Sequence, residues 1–559
     1  MRGAIIEGMA EQTDPFARAA ANQPPPLVGH NTVEGDQALL AAVRAEAGEA
    51  AEAVIDSLRE LGECAGSAEA REHGMLANRH EPVFRPVDRY GNRIDEVDFH
   101  PSWHWMLRQG VGFGLTGAPW TSREPMPHVR RAAAYIAWSA VEPGHGCPMT
   151  MTYAAVPALR ADGILADQLT PGLSSRTYDF GLRPLADKRG LLAGMGMTEK
   201  QGGSDVRTNV TVAVPGADGS YRLSGHKWFT SAPMNDVFLV LAQAPAGLSC
   251  FVVPRVLPDG SRNGLRIVQL KDKLGNRSNA SSELEFVDAY AQRLGDEGAG
   301  VRTIIEMVAA TRLDCVLGSS ALMRRSLAEA IWHAQHRRAF GGLLVDKPAM
   351  RNVLADLAIE SEAATALGLR LARAVESPDD PAQRALRRIG LPLAKFWVCK
   401  RTPFHVAEAL EVLGGNGYVE DSGLPLLFRE SPLNSVWEGS GNVNALDVLR
   451  VLQKQPEGVE AWRDEVEAAG VAELHDGVSE VLKAIANLVD PSEAEYVARW
   501  LAARMAVLLQ ASLLVRHSPG PVADAFLASR VLGRHAGVFG TLPAGLDTAA
   551  IVDRAAPVG

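Results

Sequence analysis

The chain changes its hydrophobic pattern twice along its length, and this order limits the folds open to it more than any other feature. From about 36 to 181, apolar residues recur every three or four positions, as in "DQALLAAVRAEAGEAAEAVIDSLRELG", which predicts amphipathic helices. Between about 190 and 295 the pattern becomes short β-type runs separated by turn signals such as "PDGSRNG". From Val301 onward long helical patterns return. The sequence therefore predicts an α+β multidomain chain in the order helices, strands, helices.

Six strand-like runs lie in the middle region: "NVTVAV", "YRLSGHKWF", "VFLVLAQ", "SCFVVPRV", "GLRIVQL" and "SELEFV". So many short strands within about a hundred residues predict a compact β-barrel or sandwich. The 559 residues are enough for several domains. We place an N-terminal helical domain at 1–185, a middle β domain at 186–294, a helical domain at 295–450 and a helical C-terminal extension at 451–559.

Charge and composition argue against several classes of function. The net charge of -10 offers no global electrostatic reason to bind nucleic acid. The five cysteines are scattered and never form a CxxC pair, which suits reduced thiols better than disulfides or zinc. His100 and His104 stand four apart in "HPSWH", but no HExxH glutamate accompanies them and Pro101 suits a helix start, so we predict no metal site. With no apolar run of ~18 to 20 residues and no secretory signal, we expect a cytoplasmic protein that does not enter a membrane.

The segment "GMGMTEKQGGSDV", from Gly194 to Val206, opens the β region. Glycines at 202 and 203 let the backbone approach a ligand closely, and Thr198 and Ser204 add hydroxyls beside amides that suit a phosphate or a flavin edge. A polar β-turn explains the same residues. No GxGxxG follows a strand and opens a helix, so a Rossmann dinucleotide site is not predicted.

A second segment, "GHKWFTSAP", places Trp228 and Phe229 within three residues of Ser231. An aromatic ring beside hydroxyl and amide donors could cover a flat cofactor. Aromatic residues in a strand are also ordinary core residues, and the segment alone does not separate the two interpretations.

A third segment, "NSVWEGSGNVNALDVLR", holds one acid, Glu438, between Trp437 and a glycine-rich turn. Gly439 and Gly441 allow unusual backbone conformations, and a helix starting near Val443 would direct its positive end toward an anion such as a phosphate. A carboxylate enclosed by an indole and apolar neighbours has its charged form disfavoured, which suits a general base. The alternative is a helix-start acid favoured by the dipole alone.

Taken together and in this order, the three segments resemble the motifs TE-x-x-x-GSD, G-x-K-x-W-I-T-N and YEG(T/S) of the acyl-CoA dehydrogenase family of flavoproteins. "RRAFG" is similar to the family's R-x-x-F-G segment and "EVLGGNGY" to its Q-x-x-GG-x-G-(F/Y) segment. Further stretches, including "LKDKLGNRSNAS", "FHPSWH" and "NSVWEGSGN", resemble the AidB branch, whose members belong to the bacterial alkylation-damage response. This resemblance spans roughly Pro24 to Arg534.

The resemblance implies the acyl-CoA dehydrogenase fold, in which the third domain is a four-helix bundle, together with bound FAD and a homotetramer built as a dimer of dimers. The segments at Arg337 and Glu411 would reach the FAD of a neighbouring subunit. The residues implied to contact FAD are Met197, Thr198, Ser204, Phe229, Ser231, Arg337, Phe340, Glu411, Gly415, Trp437, Gly439, Ser440 and Asn442.

By the same resemblance, Glu438 would be the base that removes the α-proton of an acyl thioester. Some relatives carry the base on a helix, before an arginine, but that position here is Thr311, before Arg312, so Glu438 is the one candidate of the two. Trp437 replaces the usual tyrosine, and "EKQGG" replaces the usual turn on the CoA side. We therefore expect weak turnover with straight-chain acyl-CoAs.

The resemblance also implies association with double-stranded DNA through the C-terminal extension, as part of protecting DNA against alkylation. From Arg450 to Gly559 there are ten Lys or Arg against fourteen Asp or Glu, a poor footprint for phosphate contacts. The average hides a basic stretch, and the candidate DNA contacts are Arg450, Lys454, Arg499, Arg504, Arg516, Arg530 and Arg534. A solvated helix surface explains them equally well. The rival hypothesis is a metabolic dehydrogenase of a short or branched acyl-CoA that does not bind DNA.

Overall fold

A computed structural model describes residues 22–558. The N-terminal region is mainly helical, as predicted, but the long periodic stretch after Asp36 is divided into short helices rather than forming one. Asp36 caps the first of them by accepting hydrogen bonds from the amides of Ala38 and Leu39. The helices of this region are Gln37–Ala47, Ala51–Asp56, Arg59–Ala65, Ala68–Arg79, Pro101–Gly112, Pro127–Ser139, Gly146–Leu159 and Gly163–Leu173.

A β-hairpin interrupts this helical region, and the sequence reading missed it. Strand β1 (Val83–Val87) pairs antiparallel with β2 (Arg93–Asp98). β1 is mostly exposed and contains a proline, and β2 is mostly charged, so the two strands carry little of the apolar alternation by which a strand is predicted. Arg93 ties the hairpin to the β domain through a 2.7 Å hydrogen bond from its Nη2 to the carbonyl of Ile267.

The middle region is a barrel with seven strands, one more than predicted. The six predicted strands are β4 (Val212–Pro215), β5 (Tyr221–Ser231), β6 (Val237–Ala244), β7 (Gly247–Pro254), β8 (Leu265–Leu270) and β9 (Ser281–Leu294). The additional strand is β3 (Ala193–Gly196), which pairs in parallel with β6; its glycines hide the strand pattern. The order β3-β6-β4-β5-β9-β7 closes because β6 also pairs with β7, and β8 joins β9.

Three long helices and one shorter one pack together after the barrel. They confirm the predicted C-terminal helical domain. The first of them begins at Gly300 and continues without a break for 37 residues. The helices of this bundle are Gly300–His336, Pro348–Glu376, Pro381–Val412 and Gly441–Lys454, with the short helices Leu424–Glu430 and Leu433–Val436 between the last two.

The C-terminal extension packs against the bundle instead of standing apart from it. Its longest helix, Pro491–His517, lies against two of the long bundle helices, and one continuous core joins it to the N-terminal helices. Within residues 22–558 this is the helix long and apolar enough to cross a membrane, yet 72% of its apolar window is buried inside the protein. The other helices of the extension are Pro456–Glu467, Ala472–Ala486, Gly520–Phe526 and Thr548–Ala555.

Candidate active site

Glu438 lies in a tight loop between the short helix Leu433–Val436 and the helix Gly441–Lys454. Its backbone adopts a left-handed conformation, with φ of 57°, followed by Gly439 with φ of 93°. This conformation is costly for a residue with a side chain and persists only where the surroundings hold it. The helix begins at Gly441, two residues before the predicted start near Val443.

Lys395 fixes the conformation of this loop through hydrogen bonds to its backbone. Its ammonium donates hydrogen bonds to the carbonyls of Trp437 at 2.6 Å and Gly439 at 2.7 Å, the two residues on either side of Glu438. The Lys395 residue is 1% exposed. Asn444 adds hydrogen bonds from its Nδ2 to the carbonyls of Gly439 and Ser440. Sequence reasoning missed Lys395, although a lysine inside the apolar stretch "GLPLAKFWVC" was an available signal.

The Glu438 carboxyl accepts a 2.6 Å hydrogen bond on Oε2 from the Thr311 hydroxyl. Burial raises the pKa of Glu438, while the hydrogen bond from Thr311 and the charges of Lys395 and Arg312 oppose that rise. The carboxyl is thereby held as a stronger base than a solvated glutamate while remaining ionisable. Thr311 thus serves as the hydrogen-bond donor to Glu438.

A cavity lies beside Glu438. It is lined by residues of three helices, Pro127–Ser139, Gly146–Leu159 and Gly300–His336, and of the segment from Glu430 to Glu438. Trp437 lines it too, and its indole N–H donates a 2.9 Å hydrogen bond to Asn434 Oδ1. This hydrogen bond fixes the indole ring in the cavity wall.

Several of the predicted flavin contacts lie around this loop and on the neighbouring barrel strands. Met197 and Trp437 pack against the same apolar cluster. Burial raises the pKa of the Cys147 thiol to about 12; Ser231 opposes this shift and Glu438 adds to it, which places both near the thiol. The Thr198 carbonyl accepts a 2.8 Å hydrogen bond from the Trp228 amide, so the first two segments are adjacent.

The barrel surface fits a flat cofactor. The Phe229 ring is 53% exposed at the end of β5. The Thr230 hydroxyl, next to it, is buried without a hydrogen-bond partner, although a buried polar group normally has one. Ser204 is exposed in the loop after β3. The exposed Phe229 ring offers an apolar surface on which a flat aromatic cofactor can lie.

The start of the helix Gly441–Lys454 fits a phosphate. Ser440 and Asn442 are exposed there, and the Ser440 side chain does not cap the helix. The Lys400 side chain lies over this end, since a Cβ added to Gly441 would meet its Cε at 2.4 Å. Free amides, a helix dipole and a lysine favour an anion, such as the phosphates of FAD.

Four predicted flavin residues are not brought to Glu438 within one chain. Arg337 lies at the end of the helix that carries Thr311, 26 residues further along the chain. At a helix rise of about 1.5 Å per residue, Thr311 and Arg337 are about 39 Å apart. Phe340 is 93% exposed near the same end. Glu411 and Gly415 are exposed at the end of the helix Pro381–Val412.

Four of the seven predicted DNA contacts lie within ion-pair distance of carboxylates, and three of these four are mostly buried, which corrects the prediction for those three. Arg530 is buried and pairs with Asp356 and Glu360 of the bundle. Arg504 pairs with Glu480 at 2.8 Å.

Arg516 pairs with Glu465. These arginines attach the extension to its own helices and to the bundle, and a guanidinium held this way is not free for a phosphate. The remaining four, Arg450, Lys454, Arg499 and Arg534, are exposed, and Arg450 lies 3.9 Å from Asp447, near the limit of an ion pair.

Two other sequence features have structural roles. His100 caps the helix Pro101–Gly112, with Pro101 in its first turn as predicted, and His104 hydrogen bonds the Tyr178 hydroxyl at 2.8 Å. Within residues 22–558 there is no group of three or more potential metal ligands. Glu199, to which the sequence assigned no role, is buried and pairs with Lys227 at 2.6 Å.

The helix-barrel-helix order and a half-buried carboxyl on a loop beside the cavity are the features of an acyl-CoA dehydrogenase-type flavoprotein. Residues 22–180 match the adaptive response protein AidB N-terminal domain, 194–289 the acyl-CoA dehydrogenase middle domain and 298–453 its C-terminal domain. The chain belongs to the acyl-CoA dehydrogenase family, in its AidB-like branch, and this family of oxidoreductases uses FAD.

Individual relatives agree with this assignment. The chain is 51% identical over 437 residues to the acyl-CoA dehydrogenase AidB of Escherichia coli, covering 78% of this chain and 80% of that one. The structure of Caenorhabditis elegans ACDH-11 in complex with C11-CoA aligns with a TM-score of 0.83 at 28% identity, covering 91% and 93% of the two chains. A Bacillus anthracis acyl-CoA dehydrogenase complexed with FAD shares the fold, with a TM-score of 0.62, 18% identity and coverage of 81% and 80%.

Proposed function

We propose that the protein catalyses the FAD-dependent α,β-dehydrogenation of an acyl-CoA thioester, with Glu438 as the base. The observation that carries this proposal is the Glu438 carboxyl, which lines the cavity, is hydrogen bonded by Thr311 and has its pKa raised by burial. A base for carbon acids needs such tuning, because a solvated carboxylate is too weak to deprotonate carbon next to a thioester.

In this reaction Glu438 takes the α-proton onto its carboxylate, and the double bond forms between the α and β carbons. FAD, when bound, supplies the acceptor for the hydride that leaves the β carbon. Lys395 keeps the Glu438 loop in place through the two flanking carbonyls, and Thr311 orients the carboxyl. The residues that would hold the cofactor are those around Met197 and Phe229 and the free amides at Gly441.

The test is Glu438→Gln, which keeps the size of the side chain and removes the base. We expect the purified variant to keep its FAD and to lose flavin reduction by acyl-CoA by about a thousandfold or more. Stopped-flow absorbance of the flavin under anaerobic conditions measures this. Reduction at the wild-type rate would exclude Glu438 as the base and leave the mechanism without a candidate.

We further propose that turnover with common straight-chain acyl-CoAs is weak. The support is Trp437, whose indole is anchored to Asn434 in the cavity wall and is larger than the tyrosine of the family motif. Fast steady-state turnover with butyryl-CoA or octanoyl-CoA would contradict this.

As a second function we propose association with duplex DNA in the protection of DNA against alkylation. Its support is the match to an adaptive response protein and four exposed basic residues, Arg450, Lys454, Arg499 and Arg534. Arg450 and Lys454 end one helix, and Arg499 belongs to the helix packed against it. Contacts of this kind bind the DNA backbone without reading sequence and weaken as salt rises.

Fluorescence anisotropy of a labelled duplex, at low and near-physiological salt, tests this second function. We expect binding that weakens steeply with salt and is lost when the four residues are changed together to Gln. The matched control changes Arg85 and Arg89, two exposed arginines of the N-terminal hairpin region. No binding at low salt would favour the rival hypothesis, a metabolic dehydrogenase of a short or branched acyl-CoA.

We also propose that the protein is a cytoplasmic homotetramer in which Arg337, Phe340, Glu411 and Gly415 contact the FAD of a neighbour. The support is the distance of Arg337 from Thr311 along one helix, together with the exposure of Phe340, Glu411 and Gly415. Light scattering should give four subunits, and Phe340→Asp should lower both assembly and FAD retention. Val489→Asp, at a residue 89% exposed, is the control. A stable monomer that retains FAD would overturn this proposal.

A further inference from the structure

The cavity beside Glu438 is lined by more polar side chains than a fatty acyl chain requires. The polar groups on two of its walls already form hydrogen bonds with other groups of the protein. Tyr135 and Thr150 hydrogen bond each other at 2.9 Å, and Thr150 donates to Asp314 at 2.7 Å. Asp314 is in turn paired with Arg131 at 2.7 Å. This network is part of the protein's own structure and offers little to a ligand.

Two lining groups lack partners. Glu430 Oε2 and Ser139 Oγ have no hydrogen-bond partner in the protein, and each residue is 3% exposed. A buried polar group without a partner destabilises the protein, because it has lost its hydrogen bonds to water and gained none in return. They belong to different elements, Ser139 ending the helix Pro127–Ser139 and Glu430 ending Leu424–Glu430, so a single local turn does not explain both.

Glu430 is held in position although one of its oxygens is free. Its Oε1 accepts a 2.8 Å hydrogen bond from Asn276 Nδ2, and Asn279 Nδ2 donates to Asn276 Oδ1 at 2.9 Å. Burial raises the pKa of Glu430 to about 7, Asn276 and Lys273 oppose the rise, and Glu142 adds to it. Near neutral pH the carboxyl therefore exists in both forms, one that donates a hydrogen bond and one that only accepts.

We propose that the acyl group taken into this cavity carries a hydroxyl that hydrogen bonds Glu430 and Ser139, so that the substrate class is a hydroxyacyl thioester. The inference rests on the proposed dehydrogenation at Glu438 and leaves that step unchanged. A hydroxyl both donates and accepts, so it pairs with Glu430 in either protonation state, whereas a methylene pairs with neither. Sites built to bond a polar substrate group discriminate strongly against the analogue that lacks it.

The experiment compares pairs of equal chain length on the FAD-loaded protein: butyryl-CoA with 4-hydroxybutyryl-CoA, and hexanoyl-CoA with 6-hydroxyhexanoyl-CoA. Titration of the flavin absorbance gives Kd, and anaerobic stopped flow gives the rate of flavin reduction. We expect the hydroxy compound of at least one pair to bind tenfold or more tightly than its partner.

Glu430→Met should remove this preference and favour the plain acyl-CoA, because the apolar side chain leaves the hydroxyl unpaired. Ser139→Ala is a smaller change and should reduce the preference severalfold. This variant tests the inference if Glu430→Met does not fold. Glu46→Met is the matched control: burial raises the pKa of Glu46 to about 7 as well, but it lies outside this cavity. It should keep the wild-type ratio.

The outcomes separate the two ideas. If plain and hydroxy compounds bind equally and both reduce the flavin, the dehydrogenase function stands and the hydroxyacyl inference is overturned; water then satisfies Glu430 and Ser139. If no acyl-CoA of either kind perturbs or reduces the flavin, the dehydrogenase proposal fails and the inference fails with it.

Discussion

Lys395 donates hydrogen bonds to the peptide carbonyls on both sides of Glu438, at 2.6 Å and 2.7 Å. The lysine thus fixes the backbone of Glu438, whose φ of 57° is unfavourable for any residue other than glycine. Its charge also opposes the rise in the Glu438 pKa that burial causes. One buried lysine therefore acts on both the position and the basicity of the candidate base.

Changing Lys395 to Met removes both effects at once. We expect kcat for flavin reduction to fall about 10- to 100-fold, because a small displacement of a catalytic group is costly. Lys483→Met, at an exposed site, is the control. Circular dichroism and FAD content should remain near wild type. A variant with unchanged kcat would show that the loop keeps its conformation without the lysine.

Thr311→Val tests the hydrogen bond to the Glu438 carboxyl. That bond favours the charged form, so its loss should raise the pKa of Glu438 further. The base must be ionised to act, hence the acid limb of the kcat/KM profile should move to higher pH. At neutral pH we expect a loss of about tenfold, the equivalent of one hydrogen bond to a charged group.

Thr311→Ser keeps the hydroxyl and should restore the wild-type pH profile. If Thr311→Val lowers kcat/KM equally at every pH, the threonine acts on packing rather than on ionisation.

The Arg131–Asp314 pair, with both side chains 1% exposed, predicts a large stability effect. Asp314→Asn leaves the guanidinium charge buried without a counter-charge, and the free energy of unfolding should fall by about 3–5 kcal/mol. Asp296→Asn, which breaks an exposed pair with Arg302, should leave stability unchanged within error. Urea denaturation followed by circular dichroism measures both. Equal stability of the two variants would contradict the prediction.

Glu430 predicts a pH dependence of stability. Burial raises its pKa from the ordinary 4.5 to about 7, so the folded state keeps a proton that the unfolded state has lost. Stability from this group is therefore complete below about pH 4.5 and is lost as the pH rises toward 7, by about 3 kcal/mol at most.

Glu430→Gln should flatten the fall in unfolding free energy between those two pH values, measured by urea denaturation in buffers of constant ionic strength. An identical slope in the wild type and the variant would show that Glu430 is not protonated in the folded protein.

Local signals explain which parts of the fold were predictable. The barrel strands from Val212 to Leu294 and the long helix Gly300–His336 have strong periodicity, and the prediction placed them well. Strand β3 was missed because its glycines carry no alternation, and the exposed β1–β2 hairpin because its charged residues do not repeat. Strand β3 forms through its pairing with β6, about forty residues further along the chain.

The candidate site divides in the same way. The sequence by itself determined the family, the order of domains, the choice of Glu438 over Thr311 and the glycines that permit the loop, because these depend on residue type and spacing. Only the tertiary structure decided that Lys395 supports the loop, that Glu430 and Ser139 stand unpaired in the cavity, and that Arg530 is buried against Asp356. The physical reason is that hydrogen-bond partners, burial and pKa values depend on contacts between residues that are far apart in the sequence. A local sequence pattern does not contain this information.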